Sequence, residues 1–288
     1  MNILITGAYG QLGSEMKVIS GKFPQHTFIF TDADTLNITS ETQLQNFFAA
    51  HTIDYIVNCA AYTAVDKAED DKEAAYLLNC EAPRLLAKIA AANNVKFIHI
   101  STDYVFNGTS CVPYSEEMPV CPQSVYGQSK AAGEQAAMGV APQQTAIIRT
   151  SWLYSSFGAN FMKTMLRLGK EKEELNVIFD QIGTPTYAAD LAGAIMTIIN
   201  AGKFVPGTYH FSNEGVCSWY DFAIAIHKEA GITTCKVRPI ESKEYPTKTP
   251  RPHYSVLNKS KIKKVYNFEI PHWENGLKRC LNRLTMND

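Results

Sequence analysis

The sequence predicts a doubly wound α/β fold, in which helices cover both faces of a parallel sheet, followed by a smaller C-terminal α/β lobe. Short apolar runs alternate with longer helical patterns through the first half, as expected for strands joined by helical crossovers. After Arg149 this alternation becomes less regular, and prolines cluster between residues 239 and 252. We therefore expect the first half of the chain to form the main sheet, and the chain after Arg149 to form smaller elements and ordered loops.

The individual elements follow from the same patterns. Strands are predicted near residues 2–6, 28–31, 55–59, 96–101 and 145–150. Helices are predicted near residues 11–21, 40–51, 73–93 and 125–138. Because no repeat or flexible linker interrupts the chain, a second lobe should pack directly against the first. We expect the main domain to comprise 1–150 and about 188–212, and the smaller, substrate-binding lobe to comprise about 151–187 and 213–288.

Composition and charge favour a small-molecule partner. The 288 residues include 27 basic and 28 acidic side chains, so a net charge of −1 draws the protein neither to nucleic acid nor to an acidic membrane. Seven cysteines are scattered without zinc-ligand spacing, which favours reduced thiols and a cytoplasmic location. The chain begins as an apolar strand rather than as a secretory signal, and no apolar run approaches the roughly 20 residues that span a bilayer. We therefore expect no nucleic-acid partner and no membrane attachment.

Three glycines follow the first predicted strand at three-residue intervals, at Gly7, Gly10 and Gly13. Glycine at a strand-to-helix turn tolerates unusual φ, lets the backbone approach a pyrophosphate and leaves room for close helix packing. The helix N-terminus adds unpaired N–H donors, so an anion is expected there. A plain glycine-rich turn needs no ligand, but the strand-turn-helix context favours a Rossmann dinucleotide-binding loop.

Asp32 follows the second predicted strand, about 20 residues beyond this loop. An acidic residue at that place hydrogen-bonds the adenosine ribose hydroxyls. No Lys or Arg occurs from Thr31 to Gln45, so a cation for the additional phosphate of NADPH would have to come from elsewhere. The pattern favours NADH, although an ordinary loop aspartate is an equally good interpretation.

Tyr126 and Lys130 lie four residues apart in a predicted helix, so the phenol and the ammonium share one face. The cation lowers the phenol pKa from about 10 and makes tyrosine a usable proton donor or acceptor. A chain with 14 tyrosines has about one such pair by chance. The pair gains weight from Ser101 and Thr102, because strands of this fold end at the ligand crevice. A hydroxyl there can hold a carbonyl, although strand-end hydroxyls also bond local backbone.

Longer motifs accompany this pair over nearly the whole chain. They are residues 7–13, 58–69, 101–106 with Gly108, 126–130, 149–152, 180–186, and Arg251-Pro252 before Leu257-Asn258. These motifs resemble those of the extended short-chain dehydrogenases, and more narrowly those of the dTDP-4-dehydrorhamnose reductase family. The resemblance implies that NADPH or NADH reduces a dTDP-linked 4-keto-6-deoxy sugar. The product would be dTDP-L-rhamnose, made from dTDP-4-dehydro-L-rhamnose for surface polysaccharide.

The resemblance also implies roles for individual residues. Tyr126 would donate the proton, Lys130 would activate it and bind the nicotinamide ribose, and Thr102 would hold the carbonyl. The other expected cofactor contacts are Gly7, Gly10, Gln11, Leu12, Gly13, Asp32, Asn37, Ile38, Ala60, Ala61 and Tyr62. The other expected substrate contacts are Thr63, Val65, Asp103, Tyr104, Phe106 and Trp152. Without the resemblance, a core position would be the favoured interpretation of the tryptophan.

Some features of the chain depart from the family or leave an interpretation open. Asn37 stands where the family often has aspartate near the adenine, which weakens that contact. Some relatives bind magnesium at a dimer interface, and Glu15 and Asp190 are the candidate ligands for Mg²⁺ in a homodimer here. Two separated carboxylates are, however, more often solvated surface charges.

Three other functions share parts of this pattern. A sugar-nucleotide dehydratase needs an Asp-Glu pair after the catalytic threonine, whereas Asp103 and Tyr104 follow Thr102 here. Another sugar-nucleotide reductase or an epimerase needs only the redox residues and a suitable pocket, so both stay open. A non-catalytic regulatory subunit is expected to lose part of the constellation, which this chain keeps.

Overall fold

The structure is a computed structural model that describes residues 1–285. The strands are β1 (Asn2–Thr6), β2 (Thr27–Thr31), β3 (Tyr55–Asn58), β4 (Lys96–Thr102), β5 (Thr145–Thr150), β6 (Leu153–Tyr154), β7 (Glu174–Ile178), β8 (Ile182–Gly183), β9 (Thr186–Tyr187), β10 (Gly207–His210), β11 (Cys217–Ser218) and β12 (Lys236–Ile240). The α-helices are α1 (Gln11–Ser20), α2 (Glu41–Ala50), α3 (Val65–Ala68), α4 (Lys72–Tyr76), α5 (Ala82–Asn93), α6 (Val125–Val140), α7 (Phe161–Glu171), α8 (Ala188–Asn200), α9 (Trp219–Glu229), α10 (Ser260–Tyr266) and α11 (Trp273–Thr285). A π turn occupies Leu77–Glu81, and 3-10 turns occupy Asp103–Val105 and Ser242–Glu244.

Six strands form one parallel sheet in the order β10-β5-β4-β3-β1-β2. All five strands predicted from the sequence are present, and the predicted fold class is confirmed. The chain leaves β1 for β2 on one side and then returns to β3 on the other. The carboxyl ends of β1 and β3 therefore flank the crevice where ligands bind in such sheets.

Alternating side chains of the strands enter two separate cores, one on each face of the sheet. Ile3 and Ile5 pack with residues of α1, α8 and α10, whereas Leu4 packs with residues of α2 and α5. All three side chains are fully buried. Burial of each such side chain contributes about 1.5–3 kcal/mol, so the alternation fixes which face each strand residue takes.

Two local features concern the helices beside the crevice: where α6 begins, and how regular the helix over 73–93 is. Ser124 begins α6, because its Oγ accepts a hydrogen bond from the Gly127 backbone N at 3.1 Å. The predicted helix over 73–93 is present as α4, the π turn and α5 in succession. The helix is therefore continuous but not regular.

The chain after Arg149 also forms three two-stranded sheets, β12-β7, β11-β8 and β6-β9. A third core lies among α7, α9 and α11, with Phe222 and Leu277 fully buried in it. Strand β10 is the edge strand of the main sheet and α8 packs on that sheet, in keeping with the predicted assignment of 188–212, but α10 packs on the main sheet as well. The division into two domains stays a prediction. Among residues 1–285, no helix has the length and apolar character needed to cross a membrane.

Candidate active site

The glycine loop lies at the carboxyl end of β1 and approaches its neighbours too closely for side chains. Gly7 has a φ of +66°, and a Cβ placed there would lie 2.6 Å from the Ala60 backbone N. A Cβ on Gly13 would lie 2.2 Å from the Gly7 carbonyl oxygen. Gly13 therefore allows α1 to pack against the loop, while Gly7 allows the loop to meet the segment after β3.

Asp32, at the end of β2, holds this loop through its carboxylate. Its Oδ2 accepts a hydrogen bond from the Tyr9 backbone N at 3.0 Å, and its Oδ1 accepts one from the Ala33 backbone N at 2.8 Å. The residue borders a cavity of about 250 Å³. The lining residues of this cavity are Thr6, Gly7, Gly10, Asp32, Ala33, Leu36, Asn37, Ile38, Cys59, Ala60, Ala61 and Leu78. The structure thus brings most of the expected adenosine contacts together.

A second, larger cavity of about 580 Å³ lies over the ends of β4 and β5. The expected site residues that line it are Gly10, Gln11, Leu12, Ala61, Thr63, Val65, Thr102, Asp103, Tyr104, Tyr126, Lys130 and Trp152. It shares Gly10, Cys59 and Ala61 with the smaller cavity. The two cavities therefore form a continuous run from the end of β2 to the end of β5.

Tyr126 is the central acid–base group of the larger cavity. Burial is the largest influence on the pKa of its phenol, hydrogen bonding by the Thr102 hydroxyl opposes it, and the Asp103 carboxylate adds to it, so the pKa rises to about 12. The expectation that the Lys130 cation lowers this pKa below 10 is therefore wrong, because burial dominates. The Tyr104 ring packs edge-on against the Tyr126 ring, with centroids 5.4 Å apart. The phenol consequently holds its proton until a stronger base forms beside it.

Thr102 and Lys130 complete the predicted trio. The Thr102 Oγ1 donates to Asp103 Oδ1 at 3.0 Å and accepts from the Tyr104 backbone N at 3.2 Å. The Lys130 side chain is buried, and its Nζ donates to the Ile100 carbonyl oxygen at 2.6 Å. Burial lowers the pKa of Lys130 to about 8, whereas the Glu134 carboxylate opposes the decrease. Lysine can therefore exchange a proton near neutral pH.

Asp103 is buried at the base of the same cavity and is only 3% exposed. Burial raises the pKa of its carboxyl from 3.8 to about 7, against hydrogen bonds that favour the carboxylate. Among the residues that the structure describes, no donor reaches its Oδ2. This oxygen is shielded from solvent, so its lack of a partner adds to the cost of ionising the carboxyl.

The Asn79 side chain connects the segment after β3 to α6 from within the π turn. Its Oδ1 accepts from the Tyr62 backbone N at 2.8 Å, and its Nδ2 donates to the Tyr62 carbonyl oxygen at 3.0 Å. The same Nδ2 donates to Ser129 Oγ at 3.1 Å. Helix α6 approaches closely at Gly133, where a Cβ would lie 2.0 Å from the Asn79 carbonyl oxygen. The π turn thus positions the catalytic helix and the cofactor segment together.

Trp152 forms the far wall of the larger cavity with aromatic residues that sequence reasoning missed. Its backbone φ is +49°, and its ring stacks on the Trp219 ring with centroids 3.6 Å apart. The Phe161 ring lies 4.6 Å from the Trp219 ring, and both line the cavity. Asn160 also lines it and donates from Nδ2 to Gln11 Oε1 at 3.0 Å. No local motif marks these residues, because the chain folds back to bring them together.

Three of the expected contacts lie outside the two cavity linings. Phe106 is buried against Tyr114, with ring centroids 4.2 Å apart, and borders only a small neighbouring cavity of about 50 Å³. Gly13 lies inside α1, and Tyr62 contributes its backbone to the contact with Asn79. Phe106 lies outside both linings because the 3-10 turn at Asp103–Val105 follows β4 directly and redirects the chain before it.

Glu15 and Asp190, the candidate magnesium ligands, are each paired with an arginine of α11. Arg283 lies 2.6 Å from the Glu15 carboxylate, and Arg279 lies 2.7 Å from the Asp190 carboxylate. Within residues 1–285, no group of three or more His, Cys, Asp or Glu side chains could hold a metal ion. Both carboxylates are thus engaged by arginines within the chain, and magnesium binding at a dimer interface stays a prediction.

A dinucleotide-type glycine loop combined with a tyrosine, a lysine and a strand-end threonine around one cavity defines a short-chain dehydrogenase/reductase. The family model described as "RmlD substrate binding domain" matches residues 1–286, and the chain belongs to that family. The sequence is 40% identical to the spore coat polysaccharide biosynthesis protein SpsK of Bacillus subtilis, over 97% of this chain and 96% of that protein. It is also 40% identical to the dTDP-4-dehydrorhamnose reductase of Escherichia coli, over 99% and 98% of the two chains.

A solved structure supports the same relationship. The dTDP-4-dehydrorhamnose reductase of Bacillus anthracis, described in complex with NADP, superposes with a TM-score of 0.93 at 39% identity. The match covers 98% of this chain and 99% of that one. The fold and the family are therefore established over the whole length of the described chain.

Proposed function

We propose that this protein reduces the 4-keto group of dTDP-4-dehydro-L-rhamnose with NADPH or NADH and so forms dTDP-L-rhamnose for surface polysaccharide. The observation that carries the proposal is that Thr102, Tyr126 and Lys130 line one cavity with residues of the glycine loop. The near full-length similarity to reductases of that name supports the choice of substrate. The name of the B. subtilis relative supports the link to polysaccharide synthesis.

The proposed cofactor position follows the two cavities. The adenosine would occupy the smaller cavity beside Asp32, Asn37 and Ile38, and the pyrophosphate would meet the N-terminus of α1 after Gly10. The nicotinamide ribose would then lie in the larger cavity near Lys130. The Asp32 carboxylate and the lack of a cation from 31 to 45 favour NADH, whereas the NADP bound to the B. anthracis relative favours NADPH.

The proposed substrate position places the sugar between the catalytic trio and the aromatic wall. The expected sugar contacts in the larger cavity are Thr63, Val65, Asp103, Tyr104 and Trp152. Stacked Trp152 and Trp219 offer an apolar wall that excludes water.

The chain's own residues would manage the proton. The bound nicotinamide supplies the hydride that adds to C4. Thr102 would turn its hydroxyl from Asp103 to the carbonyl oxygen and hold it beside the Tyr126 phenol. As negative charge develops on that oxygen, it becomes a stronger base than the phenolate, and Tyr126 transfers its proton. Lys130 would stabilise the phenolate and then return a proton to it.

The proposal is tested with purified protein, dTDP-4-dehydro-L-rhamnose and each reduced cofactor in turn. Consumption of cofactor with formation of dTDP-L-rhamnose is the expected result, and the rates with the two cofactors decide the preference. Conversion of the sugar without net cofactor consumption would indicate an epimerase instead. Failure to reduce any dTDP-linked 4-keto sugar would refute the reductase assignment. A cytoplasmic location, a homodimer and bound magnesium are further predictions, which this assay does not test.

A further inference from the structure

A row of buried polar side chains crosses three neighbouring strands beneath the larger cavity. Thr6 of β1 pairs with Asn58 of β3, and Asn58 pairs with His99 of β4, so the three side chains stand side by side. All three are fully buried. The Thr6 hydroxyl donates to Asn58 Oδ1 at 2.7 Å, and Asn58 Nδ2 lies 3.0 Å from His99 Nδ1. The row ends at Lys130, whose Nζ lies 3.5 Å from His99 Nε2.

The orientation of the Asn58 amide is fixed by a backbone donor. The Ala60 N–H can only donate, and it lies 3.2 Å from Asn58 Oδ1, so that atom must be the oxygen. The amide nitrogen therefore faces His99 and donates to its Nδ1. A neutral imidazole whose Nδ1 accepts a hydrogen bond carries its proton on Nε2. His99 consequently turns an N–H towards Lys130.

Burial keeps this imidazole neutral. It lowers the pKa of His99 far below its ordinary value, and the Lys130 charge lowers it further. An imidazole N–H that faces an ammonium repels it, whereas the same N–H can donate to the lone pair of an amine. Lys130 keeps its own bond to the Ile100 carbonyl oxygen in either form. The contact with His99 therefore favours the amine form of the lysine.

The other charged neighbours of Lys130 do not reproduce this contact. The ionisable groups on its own helix are Tyr126 and Glu134, and those on the wall of the same cavity are Asp103, Tyr104, Cys59 and Tyr154. Glu134 favours the ammonium form, but its carboxylate is held by Arg149 of β5 at 2.6 Å. His99 is the residue that presents a fixed donor to the lysine from β4.

We propose that His99 is a positioning residue for Lys130: a neutral imidazole, oriented by Asn58, that donates from Nε2 to the lysine amine. The inference rests on the proposed reductase activity and assigns a group that makes the lysine proton transferable. After Tyr126 has protonated the substrate oxygen, an N–H of the Lys130 ammonium protonates the phenolate. The lysine is left as the amine that His99 stabilises, and water returns the proton to it.

The tautomer of His99 can be measured without substrate. In protein labelled with ¹⁵N-histidine, long-range ¹H–¹⁵N spectra distinguish the two neutral tautomers and the imidazolium. The sequence has 7 histidines, and the signal that disappears in His99→Gln identifies this one. We expect the neutral Nε2–H form throughout the range from about pH 5 to about pH 9. A neutral Nδ1–H form, or a titration near the ordinary value of about 6.5, would overturn the proposal. Because no turnover is needed, this result is independent of the assigned substrate.

The pH dependence of turnover tests the effect on Lys130. In His99→Leu the facing N–H is lost, so the pH limb assigned to the lysine should move upward by about one pH unit. If His99 instead accepted a hydrogen bond from the ammonium, its removal would move that limb downward. A downward shift, or no shift, would contradict the inference.

A matched control separates this effect from the loss of any buried histidine. His227 of α9 is also buried, and its Nε2 lies 3.1 Å from the Met165 carbonyl oxygen, away from the row. His227→Leu should leave the pH limb unchanged. Cofactor binding and thermal unfolding report whether each variant folds. If His99→Leu does not fold, the tautomer of His99 in the unchanged protein still tests the proposal.

Discussion

Replacement of Asp103 by asparagine should make the protein more stable in neutral and alkaline solution. Burial raises the carboxyl pKa from 3.8 to about 7, so the folded protein binds this proton more tightly than the unfolded chain. Such a group leaves stability unaffected below about pH 4 and removes stability as the pH rises to about 7. The size of the change corresponds to about 4 kcal/mol of unfolding free energy. The asparagine side chain cannot ionise, while its amide oxygen can still accept the hydrogen bond from Thr102.

Urea unfolding of both proteins at about pH 4.5, 6 and 8 measures this effect. The stability difference between the variant and the original protein should grow by several kcal/mol from the lowest to the highest pH. If the new amide changes stability by an amount that does not depend on pH, the stability difference shifts equally at all three pH values and its slope with pH is unchanged. Asp34→Asn, at an exposed position, is the matched control and should give no such slope. A difference that stays constant with pH would refute the reasoning about Asp103.

Three further changes test the site and its support. Tyr126→Phe removes the proposed proton donor, so turnover should fall by about 10²–10⁴ while cofactor affinity, measured by fluorescence titration, persists; unchanged turnover would exclude the phenol. Gly13→Ala places a Cβ 2.2 Å from a carbonyl oxygen of the loop, and we expect a loss of about 1–3 kcal/mol in unfolding free energy with weaker cofactor binding. Gly139→Ala, which meets no atom within 4 Å, should instead be neutral or stabilising. Arg149→Met leaves the Glu134 carboxylate buried without its partner and should cost about 3–5 kcal/mol in denaturant unfolding. The additional change Glu134→Leu should recover most of that loss, and a failure to do so would show that the ion pair is not its cause.

Local backbone geometry explains which parts of the site could be predicted from the sequence. The close approaches at Gly7 and Gly13 are consequences of a strand that turns directly into a helix, so the glycine spacing predicts them. The shared cavity of Tyr126 and Lys130 follows from helical periodicity. Both patterns depend on residues that are near one another in the chain.

The contacts that could not be predicted depend on tertiary structure. Trp219 reaches Trp152 only because the chain returns to the cavity 67 positions later. Phe106 belongs to a recognisable motif, yet the 3-10 turn after β4 directs it into a separate core. His99 looks like an ordinary strand residue until the register of β3 and β4 places it beside Asn58 and Lys130.

The π turn at Leu77–Glu81 adds one residue to the helical segment compared with a regular α-helix. A sequence alignment can therefore show whether a homologue has the same turn. Deletion of a single residue there would restore a regular α-helix and rotate the preceding turns by about 100° relative to α5. The Asn79 amide would then face away from the Tyr62 backbone, and the cofactor segment would lose its connection to α6. A homologue with a one-residue gap at this place would need another device to hold that segment, however well its catalytic motifs align.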